Sequence, residues 1–280
     1  MQKRLIPAVV LPLLVSTFVY ATDDTVAPII VTATRTAQTA DQTLASVTVI
    51  TRAEIEQQQA QSVEDVLRGV PGLSLANSGG PGKATSVFLR GTNSDHVLVL
   101  IDGVKVGSAT LGTTAFEELP IDQIDRIEIV RGPRSSLYGS EAIGGVIQIF
   151  TRKGGGPTTP YFSVGAGSYH TYNASAGVSG GGTRGWYNFS ANDDHTAGIN
   201  ACKGSLTAGC FAIEPDKDGY RNASGTVRAG YRFDNGTEVD FHALRAQGST
   251  AFDGSFVNAA QFAQQVVGGT LHYTPSNPGM

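Results

Sequence analysis

From residue 161 onward the chain alternates. Phe162, Val164 and Ala166 interleave with Tyr161, Ser163, Gly165 and Gly167, and Tyr172, Ala174, Ala176 and Val178 with Thr171, Asn173 and Ser175. Tyr187, Phe189 and Ala191 do so with Trp186, Asn188 and Ser190, and Val227, Ala229, Tyr231 and Phe233 with Thr226, Arg228, Gly230 and Arg232. The pattern continues through Val239, Phe241 and Ala243 and through Val267, Gly269, Leu271 and Tyr273. A period of two is the strand period. Segments of about ten residues with one apolar face, one polar face and aromatics near their ends predict membrane-spanning β-strands. The short link at 180–182 and the long one at 195–221 fit short inner turns and long outer loops. A soluble β-sandwich shares the alternation, but the large polar loop counts against it. About six strands are expected. An open sheet of that size would leave unpaired edges in lipid, so the chain is expected to be a truncated or fragmentary membrane protein.

Upstream, residues 41–153 read as a compact α+β domain. Residues 47–50 predict a strand. Thr51 with Glu54 makes a capping box for a short helix through Gln58, and Ser62 with Asp65 repeats the device for a helix ending by Gly69 and Pro71. Residues 86–90 predict a strand, and the unbroken apolar run 97–101 predicts one buried on both faces. Asp102-Gly103 predicts a tight hairpin into 104–106, and strands at 126–130 and 146–150 close the domain. Gly79-Gly80-Pro81-Gly82 reads as a turn, without the Lys-Ser/Thr pairing of a phosphate loop.

The front of the chain sets the compartment. Lys3 and Arg4, an apolar run over 5–20, and Val19 and Ala21 form the three parts of a secretory signal peptide, with cleavage expected after Ala21. The run falls short of the roughly 20 apolar residues of a spanning helix, and Pro7 and Pro12 interrupt it. Residues 22–40 are polar and expected to be flexible, apart from the patch Ile29, Ile30, Val31, Thr32 and Ala33. Pro28 favours an extended start there. The patch suits either strand addition to a partner's sheet edge or the first strand of the next domain.

Composition narrows the functions. Net charge is −4, from 20 basic and 24 acidic residues, with no Lys/Arg cluster, which argues against a nucleic-acid partner. The 35 glycines in 280 residues exceed ordinary usage of about 7% and suggest a turn-rich β protein. Cys202 and Cys210 lie close together in an exported chain, so a local disulfide is expected. Closing so short a loop stabilises by about 2–3 kcal/mol. The five histidines are scattered, and no nucleophile, base and acid stand at catalytic spacing. An enzyme is not expected.

Several runs carry a resemblance. Val66-Leu67-Arg68-Gly69-Val70-Pro71-Gly72, Phe88-Leu89-Arg90-Gly91-Thr92, residues 97–104, Val130-Arg131-Gly132-Pro133-Arg134-Ser135-Ser136-Leu137-Tyr138-Gly139-Ser140 and Ala142-Ile143-Gly144-Gly145-Val146-Ile147 resemble, in that order, the plug of TonB-dependent receptors. Residues 29–34 resemble their Ton box. Within the superfamily, Arg90-Gly91-Thr92-Asn93, residues 96–104, Gly167-Ser168-Tyr169 and Asp216-Lys217-Asp218-Gly219 are most similar to the cobalamin (vitamin B12) receptors. The resemblance implies an α+β plug domain over 41–153 and the first strands of a transmembrane antiparallel β-barrel over 158–280. The family's barrel has roughly 22 strands, with the plug in its lumen. It also implies a place in the bacterial outer membrane and contact with its lipid. Substrate would bind on plug apices and outer loops, and the energised partner TonB would pull on the Ton box.

The same resemblance nominates sites. Ser86 and Asn93 match cobalamin-contact positions, while Ala84, Thr110 and Leu111 occupy others but differ in type. The bland alternative is a set of ordinary turn residues. Glu214-Pro215-Asp216-Lys217-Asp218-Gly219 places carboxylates two apart before a Gly turn, which suits hard Ca²⁺ or a merely solvated loop. By resemblance Asp216, Asp218 and Asp253 match calcium-ligand positions, Asn200 stands where the family has an acid, and Glu214 and the Phe252 carbonyl add oxygens. Arg131 and Arg134 are expected to face barrel-wall carboxylates, against the alternative of an exposed turn. The function implied is TonB-dependent cobalamin uptake. A receptor for a ferric siderophore or other metal chelate is the near rival, and a soluble periplasmic binding domain the distant one.

Overall fold

The computed structural model describes residues 30–31, 38–39, 45–108, 110–205, 210–254 and 256–274, with the side chains of 30–31, 38–39, 203–205 and 210–213 left out. The signal-peptide reading, and Ile29, Thr32 and Ala33 of the expected Ton box, lie outside the described residues. Two short strands precede the plug: Ile30–Val31 (β1) pairs antiparallel with Gln38–Thr39 (β2).

The plug is built on a five-stranded mixed sheet. Its strands are Ser46–Thr51 (β3), Val97–Ile101 (β6), Val104–Val106 (β7), Ile124–Arg131 (β8) and Gly145–Thr151 (β9), in the order β3-β8-β9-β6-β7. Only the β6–β9 pair is parallel. Leu73–Asn77 (β4) and Thr85–Leu89 (β5) form a separate hairpin. Both capping boxes are present, Thr51 with Glu54 on Arg52–Gln57 (α1) and Ser62 with Asp65 on Val63–Leu67 (α2). Ile55, Val63, Val66 and Leu67 from these helices pack on Val87, Leu89, Val99, Ile127, Ile129, Ile147 and Ile149. The inner strand β6, between β9 and β7, is buried at every position, as an unbroken apolar run requires. Asp102 at φ +47 and Gly103 at φ +85 make the β6–β7 turn, both left-handed as a two-residue I′ hairpin demands. Strand β4 and the single turn Ser135–Tyr138 (α3) were not foreseen. The run LSLAN has little β-branched content to mark a strand.

The second unit is a meander of six antiparallel strands. Thr159–Gly167 (β10), Thr171–Gly181 (β11), Gly185–Thr196 (β12), Tyr220–Arg232 (β15), Thr237–Ala251 (β16) and Ala259–Tyr273 (β17) follow one another in the sheet. Lys203–Ser205 (β13) and Cys210–Ile213 (β14) form a small hairpin inside the long loop between β12 and β15. Burial in this sheet is inverted. Phe162, Val164, Phe189, Phe241, Val267 and Leu271 are exposed, while Asn188, Asn192, Asn222, Thr226, Asp240 and His242 are buried. A soluble sandwich would bury the apolar face. An apolar face turned outward and a polar face turned onto the plug define a membrane barrel wall. The wall is open: β10 and β17 each pair on one side only among the described residues.

Hydrogen bonds and ion pairs fasten plug to wall. Arg228 of β15 donates to Asp102 Oδ1 at 2.8 Å, to Asp240 Oδ1 at 3.0 Å and to the Thr151 carbonyl at 3.0 Å. Asp102 also accepts from the Thr151 amide at 3.1 Å and hydroxyl at 2.5 Å. Gln123 reaches Ser224 Oγ, Asn222 reaches the Glu118 carbonyl, and Tyr220 reaches the Glu117 carbonyl.

The expectation for Arg131 and Arg134 needs correction. Arg131 donates to Ser46 Oγ, Thr48 Oγ1 and the Pro71 carbonyl, all within the plug. Arg134 sits at the start of α3, its buried Nε without a partner. The β3 hydroxyls lie within reach of Arg131 because β3 pairs with its own strand. The arginine that bridges the units instead comes from the wall.

Arg228→Leu should leave Asp102 and Asp240 buried without a counter-charge. Breaking a buried pair costs about 3–5 kcal/mol. Amide hydrogen exchange should therefore rise at the β6–β7 turn while β8 and β9 stay protected. Arg228→Lys, a point charge without the fork, should recover only part of the protection. Unchanged exchange at Asp102 and Gly103 in the leucine variant would sink this account of the seam.

Candidate functional site

The long-loop end of the wall meets the tip of the β4–β5 hairpin. Asn77 shapes that tip: its Oδ1 accepts from the amides of Gly79 and Gly80, and its Nδ2 donates to the Gly80 and Lys83 carbonyls and to Thr85 Oγ1. Gly82 has φ +71, and a Cβ there would lie 1.9 Å from the Tyr220 ring, so tip and wall touch where only glycine fits. Beside it Lys83 is buried. Its Nζ donates to the Pro81 carbonyl, the Asp218 carbonyl and Thr250 Oγ1, each at 3.2 Å. Burial pushes its pKa down, partly offset by the Asp218 charge. That ammonium is spent on tying the plug tip to the loop before β15.

The nominated ligand positions fall on three neighbouring segments at this end. Ala84 is exposed at the foot of the tip, and Ser86 is half-buried on β5 opposite Ala76. Asn93 is exposed at the position before the 3₁₀ turn, its side chain making no cap bond, and Ser94 Oγ of that turn accepts from the Val87 amide at 3.2 Å. Thr110 and Leu111 are exposed on the loop after β7, where Ser108 Oγ accepts from both their amides. Gly112 brings that loop against Asp95. The five positions thus border one surface. Leu111 is 73% exposed, an apolar contact that no neighbour covers.

The acidic loop converges as well. One carboxylate oxygen each from Glu214, Asp216 and Asp253 lies within 4.8 Å of the others. Among the described residues, both oxygens of Asp253, Glu214 Oε2 and Asn200 Oδ1 are buried without a hydrogen-bond partner. Burial, then the charges of Asp218, Asp216 and Glu214, push the Asp253 carboxyl up, and the Cys202 amide nearby opposes this from outside hydrogen-bonding geometry. Asn200 Nδ2 donates to the Glu214 carbonyl at 2.6 Å, which turns its Oδ1 to the other side. Asp218 stands beside the cluster and gives one oxygen to the Ala201 amide at 2.7 Å. Phe252 is held by its own amide on the Asn258 carbonyl. Cys202 is buried and disulfide-bonded, and the Cys210 side chain lies outside the described residues. Orphaned oxygens from loop segments far apart in sequence fit a hard cation.

Below the tip, plug and wall enclose a cavity of about 340 Å³. Glu64 and Glu117 line it from the plug, and both grip Thr85: Glu64 Oε1 accepts from its hydroxyl at 3.1 Å, and Glu117 Oε2 from its amide at 3.3 Å. Sequence reasoning missed this pair. An acid in the first turn of a helix, like Glu64, is ordinarily a favourable surface residue.

Similar proteins place the chain. Residues 39–146 match the family described as the TonB-dependent Receptor Plug Domain. With that plug followed by an open run of antiparallel wall strands, the chain belongs to the TonB-dependent receptors. It is 36% identical over 258 residues to the Vitamin B12 transporter BtuB of Photobacterium profundum, covering 91% of this chain and 41% of that one. It is also 36% identical over 230 residues to the Vitamin B12 transporter BtuB of Vibrio cholerae, covering 81% and 37%. The crystal structure of the ferric yersiniabactin uptake receptor FyuA from Yersinia pestis superposes with a TM-score of 0.58 at 25% identity, over 74% of this chain and 32% of that one. The chain spans about two fifths of the length of the curated relatives it matches.

The Glu117 carboxyl, held in the plug by the Thr85 amide, is expected to make folding stability pH-dependent. Burial first, then the charges of Glu64 and Glu118, raise its carboxyl from 4.5 to about 7, against hydrogen bonds from its own and the Thr85 backbone. The folded value exceeds the unfolded one, so the folded state holds the extra proton between those two values. Stability from this group is complete below pH 4.5 and is lost as pH rises through about 7. The loss is about 3 kcal/mol at most. Unfolding of the purified receptor in chelator should show that slope, and Glu117→Gln should flatten it. An equal slope in both proteins would refute the assignment.

Proposed function

We propose that the receptor takes up cobalamin across the bacterial outer membrane, driven by TonB acting on residues 29–33 and helped by calcium in the loop of Asn200, Glu214, Asp216, Asp218, Phe252 and Asp253. The likeness to two proteins named as vitamin B12 transporters carries this reading. The chemistry of the ligand surface agrees with it. Cobalamin is a large flat ring edged with amide arms, and such a ligand calls for separated neutral hydrogen-bonding groups. Ser86, Asn93 and Thr110 offer these from three segments. A ferric chelate with net negative charge favours free Arg or Lys. Lys83, the one base in the stretches 78–85 and 92–95, is buried on other oxygens. The rival, uptake of a ferric siderophore, is supported by the likeness to the yersiniabactin receptor.

Titration of the full-length receptor should show cobalamin binding that weakens in calcium chelator, because calcium bound to the loops of the ligand-competent state is linked to ligand affinity. Asn93→Ala should weaken it by about 1–3 kcal/mol, the cost of an unpaired buried partner. Tight binding of an iron chelate with no cobalamin affinity would hand the case to the rival.

Energy coupling has its own test. Strand addition uses backbone donors, and proline removes one and fixes φ. Val31→Pro in the full-length receptor should bind ligand at the cell surface but fail to transport it. Normal uptake by this variant would remove residues 29–33 from the coupling role.

A further inference from the structure

The cavity beneath the hairpin tip is chemically one-sided. Glu64 enters it from α2, 5% exposed, with Oε1 engaged by Thr85 and Oε2 buried and unpartnered. Asn222 enters from β15, 2% exposed. Its Nδ2 donates to the Glu118 carbonyl and the Tyr220 hydroxyl, both at 2.9 Å. A carbonyl accepts only, so the amide must face it with nitrogen, and the orientation is fixed. Asn222 Oδ1 is thereby left buried and without a donor. Glu117 completes a set of three oxygen-bearing side chains from plug and wall.

Among the described residues no basic side chain pairs with them. The Lys83 ammonium is held by the Pro81, Asp218 and Thr250 oxygens. Arg68 and His195 also line the space, but among the described residues neither makes an ion pair or hydrogen bond with Glu64 or Glu117. His195 stacks on Tyr172 at 4.8 Å and forms no three-residue metal cluster with the two acids.

We propose that this cavity is a second cation site, taking a hard divalent ion, Ca²⁺ or Mg²⁺, between Glu64 Oε2, the Glu117 carboxylate and Asn222 Oδ1. An all-oxygen donor set selects such ions over softer metals. Two carboxylates and one amide leave most of the shell to water. The volume of about 340 Å³ admits it, since a water occupies about 30 Å³. A water-rich site of this charge should be weak, with Kd of roughly 0.1–1 mM. The acidic loop draws its ligands from the wall loops alone. This site takes two from the plug and one from the wall, so its occupant pins the plug hairpin to the barrel at the ligand-binding end. It does not depend on calcium in the acidic loop.

The test uses the full-length receptor, purified in detergent and stripped of metal, titrated with Tb³⁺ and back-titrated with Ca²⁺. Tyr220 lines the cavity and sensitises terbium emission there. The double variant Asp216→Asn with Asp253→Asn should disable the loop and retain tyrosine-sensitised emission that Ca²⁺ displaces. Adding Glu64→Gln, close in shape, should weaken that remaining binding at least tenfold. Asn222→Ala, which removes the amide oxygen, should weaken it severalfold, with an unchanged circular-dichroism spectrum showing that the variant is folded. The proposal is overturned if the folded loop variant binds no ion in this range, or if Glu64→Gln and Asn222→Ala leave its affinity unchanged. The difference between parent and loop variant decides the loop separately: equal stoichiometry in the two would remove the loop as a calcium site and leave this cavity standing.

Discussion

A wall that faces lipid outside must be polar inside, and the plug exists in the form it does because of that constraint. Strands alternate, so each outward Phe or Val commits its neighbours to the inner face. Here those neighbours are Asn188, Asn192, Asn222, Thr226, Arg228, Asp240 and His242, all buried or nearly so. Buried polar groups must be paired. The plug supplies partners for two of them, Asp102 and the Thr151 carbonyl for Arg228 and the Glu118 carbonyl for Asn222. The wall itself supplies Tyr161 for Asn188, Asp194 for Asn192, Ser190 for Thr226 and Trp186 for Asp240. The plug's own core is apolar and separate in kind, with Ile127, Ile129, Ile147 and Ile149 fully buried. Leu244 and Val266 are the exceptions, wall residues that join that core.

The contrast between an apolar core and a polar seam has a mechanical consequence. Exposing an apolar core to water costs free energy in proportion to area. Parting a hydrogen-bonded seam exchanges protein partners for water, and the net cost per bond is only about 0.5–1.5 kcal/mol. The plug is therefore better fastened to itself than to the wall. The Arg228 fork is the costly point, because water must hydrate three charges when it opens. It sits near the short-turn end, next to the β6–β7 turn.

Much of this was legible where local rules act alone. The capping boxes, the Asp102-Gly103 turn and the run Val97–Ile101 each encode their structure within a few residues. The alternation of β10, β11 and β12 was equally plain. The upper half of β15, Tyr220-Arg221-Asn222-Ala223-Ser224-Gly225, was not, because its inward residues meet the plug and its outward ones are small or charged. The same holds for the upper half of β16, where Leu244 and Ala246 turn inward. Alternation tells which residues face the lumen and cannot tell what they meet there. Arg228 was read as one more polar position, and Arg131 was assigned the role that Arg228 fills. Carboxylates two apart before a Gly turn mark the acidic loop within its own sequence, whereas the approach of Asp253 to Glu214 and Asp216 is a long-range contact that spacing does not announce. Glu64 carried no signal, since its role depends on a wall residue more than 150 positions away.

The β4–β5 hairpin tip and the acidic loop are joined through one side chain. Lys83 lies between Gly82, which packs on Tyr220, and Ala84, the first of the nominated ligand positions. Its ammonium bonds the carbonyl of Asp218, and the carboxylate of that same residue holds the Ala201 amide beside the Glu214, Asp216 and Asp253 cluster. A buried lysine gives up hydration for those contacts, and burial lowers its pKa accordingly. Displacement of the Asp218 backbone would leave that ammonium without one of its three oxygens in a space water does not freely enter. The hairpin must then follow the loop or release the lysine to solvent. Movement of the acidic loop at Asp218 therefore carries a cost at Lys83, next to Ala84 on the hairpin.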